Sequence, residues 1–152
     1  MTYKFKVQSV INKKVETKES ACFNLRSTKD YILQPQQRIL VNAGVYIDLM
    51  EPDLVGHIYS KSGIAFKYDV AVLNSPGIID ADYKDEIKVL LIIHSKEEYI
   101  INPRDAVAQM GFVKIFKAVK KVIESDGCAC REVTMTIIKD VERKSGFGST
   151  GK

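Results

Sequence analysis

From Tyr3 onward the chain is a succession of short runs in which apolar and polar residues alternate, each cut off by a proline, glycine or asparagine. A period of two puts every second side chain on one face of an extended backbone, which marks a half-buried β-strand. YKFKVQSV sets Tyr3, Phe5 and Val7 on one face and Lys4 and Lys6 on the other. RILVNAGVYIDL reads as a strand pair, or one bulged strand, interrupted at Ala43-Gly44. LVGHIYS, EEYII, AVAQMGFVKIF and REVTMTII add strands, and EIKVLLIIH, apolar on both faces, reads as a buried one. Turn signals separate them at Gln34-Pro35, Glu51-Pro52-Asp53, Asn74-Ser75-Pro76-Gly77 and Asn102-Pro103. Short strands at this spacing predict an all-β sandwich or barrel. KSGIAFKY holds one or two helical turns, and FKAVKKVIE fits helix and strand equally. The apolar pattern stops near Asp140, which divides the chain into a β domain, 1–139, and an appended mobile arm, 140–152.

A length of 152 residues suits one domain with one core. The hydrophobic share of 45% and charged share of 28% are those of a soluble globular protein. No apolar run approaches the roughly 20 residues that span a bilayer. MTYKFKVQSVINKK has no apolar signal core, so the expected location is cytoplasmic, with no membrane partner. Cys22, Cys128 and Cys130 are an odd set, expected to be reduced thiols. The C-x-C pair has only His57 and His94 to recruit, which argues against structural zinc. A net charge of +4 suits small phosphates. No dense Lys/Arg cluster interleaves with aromatics, so no stable nucleic-acid partner is expected, and FKAVKKVIE reads as a solvated basic face.

Three stretches can carry chemistry. In LNSPGIIDADYKDEIKVLLI, Asn74–Gly77 is a turn, GIID enters a short strand, and Asp80 and Asp82 share a face if the strand continues. Two readings stand: a β-hairpin whose acids solvate its tip, or a carboxylate held to take a proton from water. In SKSGIAFK, Lys61, the Ser62 hydroxyl and the Gly63 N–H offer a charge and two donors to a phosphate. The alternative is an N-cap from Ser60 or Ser62, with the lysines in solvent. The terminal SGFGSTGK spells both G-x-G-x-x-G and G-x-x-x-x-G-K. Each of those loops needs a helix behind it, and none can follow Lys152 here.

Taken in order, SACFNLRS, GHIYSKSGIAFK, LNSPGIIDADYKDEIKVLLI, PRDAVAQMGF and ERKSGFGSTG resemble the ordered motifs of the trimeric deoxyuridine triphosphatases (dUTPases), over about residues 20–151. The third stretch and GFGSTG are the specific ones. The resemblance implies a jelly-roll (β-clip) domain with a short helix. It also implies a homotrimer with active sites between subunits, each closed by a C-terminal arm. The implied reaction is hydrolysis of dUTP to dUMP and pyrophosphate, which keeps uracil out of DNA and supplies dUMP. Mg²⁺ is the implied cofactor, held by the triphosphate and water with no direct protein ligand.

Residue by residue, Asp80 resembles the base that activates water at the α-phosphate. Tyr83 resembles the ring under the deoxyribose that leaves no room for a 2′-hydroxyl. Asn74 and the backbone Gly77–Ile79 resemble the uracil-reading hairpin. Lys61, Ser62, Gly63 and Gln109 correspond to phosphate contacts, Phe147 to the lid over the base, and Arg143, Gly148, Ser149 and Thr150 to the arm's phosphate ligands.

The chain also departs from the pattern. Asn24 stands where the family has an Asp that engages water on the magnesium. Lys61 replaces the usual Arg, Ala106 a basic residue and Asp85 a Gly, with Arg104 two residues before Ala106. The arm is one residue short between Arg143 and Gly146, and ESDGCACREVTM is extra. These departures motivate an alternative, a dUTPase-like binding or regulatory protein with impaired catalysis. Deamination, as in the related dCTP deaminases, needs a Glu on the strand after the hairpin, where this chain reads IKVLLII.

Overall fold

The computed structural model describes residues 5–9, 17–116, 120–122 and 133–135. Within them the chain is all-β apart from a single short helix. The strands are β1 (Phe5–Ser9), β2 (Phe23–Arg26), β3 (Tyr31–Leu33), β4 (Arg38–Asn42), β5 (Val45–Leu49) and β6 (Leu54–Tyr59). The helix α1 (Ser62–Tyr68) follows, then β7 (Val70–Val72), β8 (Gly77–Ile79), β9 (Lys88–Ile93), β10 (Tyr99–Ile101), β11 (Ala106–Lys114), β12 (Lys120–Val122) and β13 (Val133–Met135). The larger sheets run β2-β11-β6-β8 and β4-β9-β7, and β1-β5, β3-β10 and β12-β13 form pairs.

Alternation places the core. In β5, Val45, Ile47 and Leu49 are buried while Tyr46 and Asp48 face out. Leu25, Ile58, Ile79 and Met110 from the four-stranded sheet share one core with Val41, Val70 and Leu91 from the three-stranded sheet. Each such side chain taken from water stabilises the fold by roughly 1.5–3 kcal/mol.

RILVNAGVYIDL is two strands, β4 and β5, and they belong to different sheets. Gly44 makes the break with φ 60°, a left-handed conformation that a glycine adopts without penalty. β9 differs from the expectation of burial on both faces. Val89, Leu91 and Ile93 are buried, whereas Lys88, Leu90 and Ile92 are half-exposed, because the core covers only one face of its sheet. Residues 120–122 of FKAVKKVIE are strand, paired antiparallel with β13.

The expected hairpin around Asn74–Gly77 is instead a corner between sheets. β7 before the turn pairs with β9, and β8 after it pairs with β6, through Gly56↔Ile79 and Ile58↔Gly77. The turn is closed locally by the Ser75 amide donating to the Val72 carbonyl at 3.2 Å, and the Ser75–Pro76 peptide is cis. β8 ends at Ile79, so Asp80 and Asp82 do not share a strand face; residues 81–82 are a turn. Among the described residues, no helix is long and apolar enough to cross a membrane.

Candidate active site

One row of side chains crosses three strands. Gln109 in the middle of β11 stands opposite Asn24 of β2 on one side and Tyr59 of β6 on the other. The Gln109 carboxamide donates to the Ser60 carbonyl at 3.2 Å, which ties β11 to the point where β6 ends. The Ser60 hydroxyl in turn accepts the Val72 amide at 2.9 Å. The next residue, Lys61, turns back across the sheet, and its ammonium donates to Asn24 Oδ1 at 2.5 Å.

This geometry corrects the helix-cap reading. Lys61, in extended conformation, occupies the N-cap of α1 with no side-chain capping bond. Ser60 is committed to β7, and Lys61 is half-buried rather than solvated. Ser62 and Gly63 are exposed beside it, and Gly63 borders open space.

A second cluster lies at the outer edge of β8. A cavity of about 160 Å³ is lined by Asn74, Gly77, Ile79 and Tyr83, all expected from the sequence, and by Lys88 and Leu90, which were not. Asn74 folds over Gly77: a Cβ on Gly77 would lie 3.6 Å from Asn74 Nδ2 and 3.3 Å from Ile58 Cβ. Among the described residues β8 is the end strand of its sheet, bonded to β6. Strand-edge N–H and C=O groups are therefore presented next to the cavity.

Tyr83 is fixed at both ends. Its amide donates to the Asp80 carbonyl at 3.1 Å and its hydroxyl to the Glu86 carbonyl at 2.9 Å. The Glu86 carboxylate accepts from Asn42 Nδ2 at 2.7 Å and from the Gly44 amide at 2.8 Å, which anchors the loop to the β4–β5 break. Lys84 ties the same loop to β5 through Asp48 at 2.7 Å. The hydrogen bond from Lys84, reinforced by its charge, lowers the Asp48 pKa below the ordinary carboxylate value. Asp80 follows β8 directly and is exposed, next in sequence to the cavity-lining Ile79.

Ala106 opens β11 opposite Arg26, whose guanidinium donates to the Arg104 carbonyl at 3.1 Å. Arg104 lies in the preceding turn with φ 74°. Arg143, Phe147, Gly148, Ser149, Thr150, Cys128 and Cys130 lie outside the described residues. Among the described residues no His, Cys, Asp or Glu side chains gather in a group of three or more that could hold a metal ion.

Comparison with known proteins turns this geometry into a family assignment. The family model described as dUTPase matches residues 8–151. The chain belongs to the dUTPase family. As a member it is a hydrolase of nucleotide metabolism. The deoxyuridine 5′-triphosphate nucleotidohydrolase of Nautilia profundicola is 40% identical over 138 residues, covering 90% of this chain and 88% of that protein. That of Cytophaga hutchinsonii is 38% identical over 139 residues, covering 90% and 82%. Among solved structures, the native dUTPase of EIAV superposes with a TM-score of 0.68 at 21% identity, over 82% of this chain and 100% of that one. A mutant dUTPase from phage phi11 of S. aureus, described with a structural Mg(II) ion, gives 0.67 at 18% identity, over 84% and 99%. The fold is thus the jelly-roll type of the dUTPases.

Proposed function

We propose that the protein hydrolyses dUTP to dUMP and pyrophosphate, with Asp80 as the base. The observation that carries this reading is the convergence of Asn74, Gly77, Ile79 and Tyr83 on one cavity, with exposed Asp80 next in sequence to Ile79. Uracil presents an acceptor–donor–acceptor edge, which a free strand edge such as that of β8 complements. The Asn74 carboxamide supplies a further donor and acceptor. The ring of Tyr83, held by the Glu86 carbonyl, packs under the deoxyribose and excludes a 2′-hydroxyl. The triphosphate extends toward Lys61, Ser62, the Gly63 amide and Gln109. Arg143, Gly148, Ser149 and Thr150 of an arm complete its grip, and Phe147 covers the base.

In the chemical step the Asp80 carboxylate takes a proton from water, the water oxygen bonds to the α-phosphorus, and the bond to pyrophosphate breaks. General-base assistance of this kind contributes about 10²–10⁴-fold. A bound Mg²⁺ would supply charge neutralisation to the triphosphate, in keeping with an ion that retains its waters and binds substrate phosphates. The catalytic unit is a cytoplasmic homotrimer, for which half-exposed Ile92 on the open face of β9 provides apolar surface.

A second reading, nucleotide binding without turnover, draws on Asn24, whose acceptor is engaged by Lys61. Hydrolysis in ¹⁸O-labelled water separates the two. Label recovered in dUMP supports attack at the α-phosphorus. Label in pyrophosphate, or tight dUTP binding with no pyrophosphate released, contradicts the proposal.

A further inference from the structure

We infer that Asn24 is a positioning residue that clamps Lys61, so that a fixed and unneutralised ammonium meets the triphosphate. The inference rests on the dUTP reading above. The Lys61 ammonium is half-buried, and its hydrogen-bond partner among the described residues is a carboxamide rather than a carboxylate. A carboxylate at this distance would fix the lysine and cancel its charge. A carboxamide fixes it and leaves the charge intact. The clamp itself is held in place. Asn24 sits on β2 opposite Gln109, and the Gln109 side chain is anchored on the Ser60 carbonyl, one residue before Lys61. Two strands of one sheet therefore define both ends of the Lys61–Asn24 bond.

Lysine is a flexible four-carbon arm ending in a compact charge, and ordering it before the ligand arrives removes that cost from binding. Clamping also offsets part of what is missing elsewhere on this face. Ala106 contributes no cation, and the Arg26 guanidinium opposite it is drawn to the Arg104 carbonyl.

The test is binding of a non-hydrolysable imido analogue of dUTP in EDTA, with deoxyuridine as the phosphate-free control. Asn24→Ala is expected to weaken the analogue about tenfold, as is Lys61→Ala. The Asn24→Ala/Lys61→Ala double variant should be no weaker than Lys61→Ala alone. Asn24→Asp should weaken the analogue at least as much as Asn24→Ala and flatten the salt dependence of binding, whereas Asn24→Ala keeps that dependence. Deoxyuridine should bind all variants equally, which shows that the base pocket is intact. Additive losses in the double variant, or analogue affinity and salt dependence unchanged in Asn24→Asp, would overturn the clamp while leaving dUTP hydrolysis standing. A wild-type protein that binds neither deoxyuridine nor the analogue would sink the dUTP reading and the clamp with it.

Discussion

The amide of Tyr83 donates to the carbonyl of Asp80 at 3.1 Å, so one turn holds the carboxylate beyond β8 and the ring that lines the cavity. A base at this position acts on the rate and little on affinity. Asp80→Asn should lower single-turnover hydrolysis by about 10²–10⁴-fold. The dissociation constant of the imido analogue should stay within about twofold of wild type, because the amide replaces the carboxylate isosterically. An undiminished rate removes Asp80 as the base.

Tyr83 separates ring from hydroxyl. Tyr83→Phe keeps the ring and leaves the Glu86 carbonyl without its 2.9 Å donor, a loss of about 0.5–1.5 kcal/mol in stability by denaturant unfolding. Its preference for dUTP over UTP should persist. Tyr83→Ala should admit UTP, with the selectivity ratio falling at least tenfold. Equal ratios in the two variants would show that the ring does not police the 2′ position.

Gly77 is a test of close approach. An alanine methyl there would press on Ile58 at 3.3 Å and lie in ordinary contact with the Asn74 carboxamide at 3.6 Å. Gly77→Ala is expected to cost about 1–3 kcal/mol in stability and to raise KM for dUTP. A raised KM without destabilisation fits a displaced Asn74. Unchanged values of both would mean that the corner has slack which the spacing denies.

The Lys84–Asp48 tether carries a sign in pH. The Asp48 pKa lies below its unfolded value, so its stabilising contribution is present above about pH 3.9, the ordinary carboxylate value, and is lost as pH falls through the folded value. Lys84→Met should return the Asp48 titration, followed by carbon NMR, to the ordinary range. Because both side chains are largely exposed, stability at neutral pH should change little. An Asp48 midpoint unmoved by the substitution would dissociate the pair.

Much of this was legible in the chain because long alternating runs constrain strands strongly. VYIDL declares itself by its alternation, whereas AVAQMGFVK does not alternate and carries a bulge between Ala106 and Ala108, and FNLR, YIL and VAV are too short for a period of two to register. Asn74, Gly77, Ile79 and Tyr83 were grouped through the family resemblance of the one stretch that holds them all. Lys88 and Leu90 joined them unannounced, since their place in the cavity depends on β9 lying in a different sheet from β8. The Lys61–Asn24 bond spans 37 positions and follows from the β2-β11-β6 order, which no local pattern encodes. The half-buried position of Lys61 likewise goes against the alternative that left it in solvent beside a serine cap.

Selectivity among nucleotides probes the account at its centre. Pyrophosphate release should be measured with Mg²⁺ for dUTP, UTP, dTTP and dCTP under identical conditions. Release is expected from dUTP and not from UTP or dCTP, on the proposal that β8 and Asn74 read the uracil edge and Tyr83 excludes the ribose; thymine carries the same edge with a 5-methyl group, so release from dTTP reports only on room at that carbon. Comparable release from UTP or dCTP would contradict the proposal, as would dUTP formed from dCTP.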